Sequence, residues 1–200
     1  MLKIFHAPKA RSIRIVWLCE EMGAPYQVQI EKFGNPSPDF LAANPLKALP
    51  ALVDGDVCMI ESVAMMIYIM SKYGPTTFEL KPGEPDYPRY LQFLIFGEAG
   101  MAMYGNPLVA TKFFAPDDKR DNWTVDYLKG AMVKRTAFVE DALGDREFIA
   151  GGRFTAADIS VGYSLGMVGF AADMALSPKL QAYVDRLQAR PAYQRALASA

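Results

Sequence analysis

Glu61 and Ser62 stand immediately before an apolar run, residues 63–70, whose length and character suit a buried helix stopped at Gly74-Pro75. A helix N-terminus carries partial positive charge and unpaired N–H groups, so it can hold a carboxylate beside the Ser62 hydroxyl while Glu61 meets an amino group. Together the pair could grip the zwitterionic end of an amino acid. Upstream, Pro50 has no N–H, which leaves the backbone of Leu49 able to pair with an extended peptide as an added strand. Taken singly, each feature also fits ordinary structure: a hairpin, then a helix with Ser62 as its N-cap and Glu61 favouring its dipole.

These residues need elements to position them. Ala51-Leu52-Val53 and Val57-Cys58-Met59-Ile60 are short apolar runs on either side of Asp54-Gly55-Asp56, a strong hairpin signal. Residues 2–6 read as a first strand, and 11–22 as a helix closed by Gly23 and Pro25. Tyr26, Val28 and Ile30 alternate with glutamines as a second strand would. The order β-α-β, a short irregular or helical link, then β-β-α predicts an α/β thioredoxin-like domain over residues 1–75. Prolines 75, 82, 85 and 88 mark residues 76–88 as a linker. An all-α domain over 89–200 follows, with helices expected at 88–114 (broken near Gly105-Asn106-Pro107), 121–143, 155–171, 178–189 and after Pro191.

A second motif lies in Gly151-Gly152-Arg153-Phe154-Thr155-Ala156-Ala157-Asp158-Ile159. Thr155 and Asp158 have the spacing of a capping box, and Phe154 with Ile159 that of a hydrophobic staple. This box is structural rather than catalytic.

The pattern Asn44-Pro45, three residues, Leu49, Pro50-Ala51-Leu52, then Glu61-Ser62, followed by the Thr155 to Asp158 box, resembles the cytosolic glutathione transferases over the full chain. The resemblance implies a cis peptide at Leu49-Pro50, the Leu49 backbone against the cysteinyl part of glutathione, and Glu61 and Ser62 on its γ-glutamyl end. It further implies a homodimer, no cofactor beyond glutathione as co-substrate, and addition of the glutathione thiolate to an apolar electrophile. Isomerisation, reductive cleavage, lyase chemistry and a non-catalytic binding or regulatory role are the alternatives on the same fold.

The thiolate is the nucleophile, and a helix N-terminus with a nearby hydroxyl or cation stabilises it. By that resemblance, the tyrosine position of the tyrosine-type enzymes falls on Phe5, the serine position of the theta-like and zeta-like classes on Lys9, and the cysteine of the beta-like class on Arg11. Ser12 is the nearest hydroxyl. Ser12, aided by Arg11, is therefore the expected thiolate partner, with Lys9 the runner-up and His6 a packing residue. Lys47 is placed for the glycyl carboxylate. Met101, Tyr104, Phe113 and Tyr163 are expected at a second-substrate site between the domains, where aromatic and methionine side chains adapt to varied apolar molecules.

Composition narrows the partners. Over 200 residues the net charge is −1 and no basic run occurs, which argues against nucleic acid. No apolar stretch is long enough for a bilayer, and residues 1–12 lack a hydrophobic signal core. Cys19 and Cys58 have no metal spacing and only one histidine is present, so no metal is expected. Two buried thiols in a cytoplasmic protein are the expectation.

Overall fold

Leu2–His6 forms β1, an inner strand with all but Lys3 buried. It pairs in parallel with β2 (Tyr26–Ile30) and antiparallel with β3 (Ala51–Asp54), which pairs with β4 (Val57–Met59), giving the sheet order β2-β1-β3-β4. The computed structural model describes residues 1–199. Helix α1 (Ile13–Met22) is buried from Ile13 through Cys19 and ends at Gly23, whose φ of 63° suits a residue without Cβ. Helix α2 (Pro38–Ala43) starts where Ser37 accepts the Phe40 N–H. Phe5 lies 5.5 Å from Phe40 over Ala51. It belongs to this apolar cluster. Helix α3 (Ser62–Tyr73) follows the hairpin. At the end of β3, Asp54 gathers Lys72, Tyr68 and Tyr73, and the Lys72 bond above all holds its carboxyl at about 2.

The second unit, Glu79–Leu187, is helical. It holds α4 (Tyr87–Ile95), a π-helical segment (Phe96–Ala102), α5 (Met103–Phe114), α6 (Trp123–Leu143), α7 (Ala156–Gly166), α8 (Val168–Ala172) and all but the last residue of α9 (Pro178–Gln188). The interruption expected near Pro107 lies upstream, in the π-helical segment. There the backbone of Gly97 runs so close to α7 that a Cβ would meet Ser160 at 2.3 Å, and Ser164 donates to the Gly97 carbonyl. Asn122 caps α6 by accepting from Thr124 and Val125.

Thr155 and Asp158 form the capping box at α7. Asp158 is fully buried and also accepts from the Ile149 amide at 2.8 Å and the Tyr183 hydroxyl at 2.7 Å. It joins three segments of the helical unit. Burial pushes its carboxyl up to about 6 against donors that favour the ionised form.

Helix α10 (Pro191–Ala198) groups with the first unit, which comprises Met1–Phe78 and the described residues from Gln188 onward. Its Tyr193 meets Trp17 edge-on at 4.8 Å, Arg190 makes two bonds to Glu21, and Arg195 reaches Glu20. This division differs from the expected 1–75, 76–88 and 89–200. Much of 76–88 is packed structure rather than free linker: Leu80 is buried, Asp86 accepts from Gly151, and Glu84 pairs with Arg153. Cys58 is a correction too. It is exposed on the edge strand β4, whereas burial pushes the Cys19 thiol up to about 12.

Candidate functional site

The hairpin delivers the chain to α3 through one strained residue. Glu61 adopts a φ of 73° and ψ of 104°, outside the regions a side chain favours, and its side chain is exposed. Such backbone persists where surrounding structure over-determines it. Glu61 occupies the N-cap and Ser62 is the first helical residue, which corrects the expectation that Ser62 caps α3. The Ser62 hydroxyl is engaged instead by Arg14, whose Nη1 donates to Oγ at 3.0 Å. Arg14 has no exposed surface and Ser62 only 2%. The exposed carboxylate of Glu61 therefore stands beside a helix start that has a buried cation behind it.

The peptide Leu49-Pro50 is cis. The loop before it is built on buried Asn44, which accepts from the Leu46 amide and donates to the Ala48 carbonyl. Lys47 holds a φ of 58° and is exposed. Lys47 and Leu49 line a groove of about 250 Å³ together with Lys32, Phe33 and Phe40. An extended peptide laid on Leu49 would thus have one cationic end available and a second end at α3.

Ser12 departs from expectation. Its side chain is fully buried, its Oγ lies 2.8 Å from His6 Nδ1, and it also accepts from the Ala7 amide at 3.4 Å. The hydroxyl is turned toward His6 and does not cap α1. It presents no surface to a thiolate, which removes the basis for a direct contact. His6 is buried with it, and desolvation lowers its imidazole to about 4, so it is neutral near pH 7. The surface of this corner is formed by exposed Lys9, at a φ of 64°, and half-buried Arg11.

In the helical unit, Met101 and Tyr163 line a common cavity with Gly105, Asn106 and Met167. Its internal space of about 20 Å³ admits little more than a water. Tyr104 lies elsewhere, under the Arg135 guanidinium at 3.5 Å, a cation–π contact. Phe113 stacks on Phe170 at 5.0 Å. Two of the four expected second-substrate residues are brought together and two are not. No cluster of three metal-ligating side chains occurs among the described residues, and no described helix is long and apolar enough to cross a membrane.

Arg14 and the His6 to Ser12 bond were missed by sequence reasoning. One signal existed for Arg14: a charged residue inside a helix that is apolar on nearly every side must be buried, and then must have a partner.

Two family models match this chain, glutathione S-transferase N-terminal domain over residues 1–71 and C-terminal domain over 105–200. A glutathione S-transferase 3 of Zea mays is 27% identical over 208 residues, covering 99% of this chain and 94% of the relative. Glutathione S-transferase 3 of Schizosaccharomyces pombe is 29% identical over 173 residues, covering 79% and 70%. A glutathione transferase of Phanerochaete chrysosporium, solved with oxidized glutathione, is 25% identical with a TM-score of 0.85, covering 98% of this chain and 93% of that one. With both halves of the chain matched in order and the sheet and helical units in place, the protein belongs to the glutathione S-transferase family.

Proposed function

We propose that this protein is a glutathione transferase that adds the glutathione thiolate to an apolar electrophile. The observation that carries the reading is that one unit holds both the cis Leu49-Pro50 peptide and Glu61 with Ser62 at a strained helix start. In this reading the Leu49 backbone pairs with the cysteinyl residue and Pro50 fixes that edge. Ser62 and the α3 terminus take the γ-glutamyl carboxylate, Glu61 the amino group, and Lys47 the glycyl carboxylate. The thiol lies at the start of α1, where the helix terminus, Arg11 and Lys9 favour its ionised form. It loses its proton to solvent, its sulfur forms a bond to the electrophilic carbon, and a leaving group departs with its electron pair or a polarised double bond takes it up. Positioning and charge stabilisation suffice for this chemistry. Of the four residues expected at the apolar substrate, Met101 and Tyr163 share a cavity too small to hold it, and Tyr104 and Phe113 are engaged by Arg135 and Phe170, so the reading places that substrate by none of them.

The same reading includes a homodimer. Supporting it are apolar side chains left in solvent on each unit: Ile67 on α3 is 46% exposed, and Leu91 and Ile95 on α4 are 37% and 46% exposed. A cytosolic location accords with the two free thiols, one of them at the surface.

Calorimetric titration with glutathione, followed by an activity assay with an aryl halide, tests the proposal. Binding at millimolar concentration or tighter and release of halide are expected. Lys47→Ala should weaken glutathione binding about tenfold with the limiting rate unchanged, as loss of one charge-assisted contact does. Absence of any glutathione binding would leave a non-catalytic module.

A further inference from the structure

We infer that Arg14 is a buried positioning residue which makes the Ser62 end of the site selective for a free α-carboxylate. The inference rests on the glutathione reading above and extends it to a residue that touches no ligand. Arg14 is the second residue of α1, 48 positions from Ser62 in sequence, yet its side chain has no exposed surface and its Nη1 lies 3.0 Å from Ser62 Oγ.

The direction of that bond is fixed by chemistry. A guanidinium carries only donors, so Arg14 donates and Ser62 accepts. A hydroxyl has one proton. With a lone pair of Oγ committed to Arg14, the Ser62 proton turns away from the guanidinium and toward whatever acceptor stands on the other side. Ser62 opens α3, so that acceptor arrives where unpaired backbone N–H groups also point. Were Arg14 absent, the hydroxyl could rotate and accept from a ligand donor as readily as donate to an acceptor.

Charge adds to orientation. The guanidinium is a cation held directly behind the Ser62 hydroxyl, so its field favours an anion on the other side of that hydroxyl. A ligand carboxylate therefore meets a fixed proton, the helix terminus and a buried positive charge. An ammonium at the same point meets three unfavourable partners. The arrangement divides the two ends of the amino acid: the carboxylate goes to Ser62, backed by Arg14, and the ammonium goes to exposed Glu61.

The test compares glutathione with γ-aminobutyryl-cysteinyl-glycine, which keeps the amine, thiol and glycyl carboxylate but lacks the α-carboxylate. Both peptides are titrated into the wild-type protein and into Arg14→Met, Arg14→Gln and Arg14→Lys, with thermal unfolding of each variant recorded alongside. Wild type is expected to prefer glutathione by about tenfold or more, the scale of a charge-assisted contact. That ratio should fall toward unity in the two neutral variants while affinity for the shortened peptide holds, and Arg14→Lys should restore part of it. A merely structural role would weaken both peptides alike. An unchanged ratio, an equal loss for both peptides, or failure of both neutral variants to fold overturns the inference. Failure of the wild-type protein to bind either peptide overturns the functional reading instead.

Discussion

Ser12 shows how one hydrogen bond can redirect a functional assignment. Its spacing after Arg11 made it the nearest hydroxyl to the start of α1, but its Oγ is buried against His6 Nδ1 and the Ala7 amide. Removing the hydroxyl leaves a buried imidazole nitrogen without that partner. Ser12→Ala is therefore expected to cost about 1–3 kcal/mol of stability, while the thiol pKa of bound glutathione stays where it was. Arg11→Ala should instead raise the thiol pKa. Thiolate absorbance across a pH titration, beside urea unfolding, reads both, and a raised thiol pKa in Ser12→Ala would return the catalytic role to that residue. The cis peptide and the α3 start were more legible than this corner because their parts are local: Leu49, Pro50, Glu61 and Ser62 fall within one hairpin and one helix start. Arg14 and His6 were not, since their meaning depends on partners that only the folded chain supplies.

At the scale of elements, the strands and most helix limits followed from alternation, glycine stops and caps. Gly23 and Asn122 sit at helix ends, and Thr155 opens α7 with its box intact. The π-helical turn was hidden because its cause is tertiary: Gly97 must fit against Ser160, whereas Pro107 is carried within α5. The role of α10 was hidden for the same reason. Its pattern gives a helix, but its attachment to α1 depends on Arg190 finding Glu21 across 169 residues. The two arginines of this attachment should differ. The Glu21 side chain is only 7% exposed, so Arg190→Ala leaves a carboxylate with little water and the Trp17 indole N–H in place of its ion pair, and is expected to cost about 2 kcal/mol, the scale of a charged hydrogen bond. Arg195 is itself 56% exposed, and Arg195→Ala should cost less than about 1 kcal/mol. Equal losses in chemical denaturation would show that packing of Tyr193 on Trp17, not the ion pairs, holds α10 in place.

For the whole molecule, two buried groups with opposite pH responses provide a test of whether the units unfold together. His6 belongs to the first unit and Asp158 to the helical unit. The imidazole sits at about 4 when folded against 6.5 unfolded, so between these values the unfolded chain binds a proton that the folded chain refuses. Stability from this group is lost as pH falls through that window. Asp158 sits at about 6 when folded against 3.8 unfolded, so the folded chain keeps a proton the unfolded chain releases, and stability is lost as pH rises. In a single cooperative transition the two slopes offset, and the urea midpoint is expected to be nearly flat from pH 4 to 6. Below that range it should fall, because the Asp54 carboxyl is held at about 2 by Lys72 and its tyrosine neighbours and their bonds fail as it protonates. His6→Gln should unmask the Asp158 response, giving a midpoint that declines as pH rises from 4 to 6, and Asp158→Asn should give one that climbs over the same range. Should the units unfold separately, wild type would show two transitions moving in opposite directions with pH. A wild-type midpoint that climbs as steeply as that of Asp158→Asn would mean that the four donors keep Asp158 ionised despite its burial.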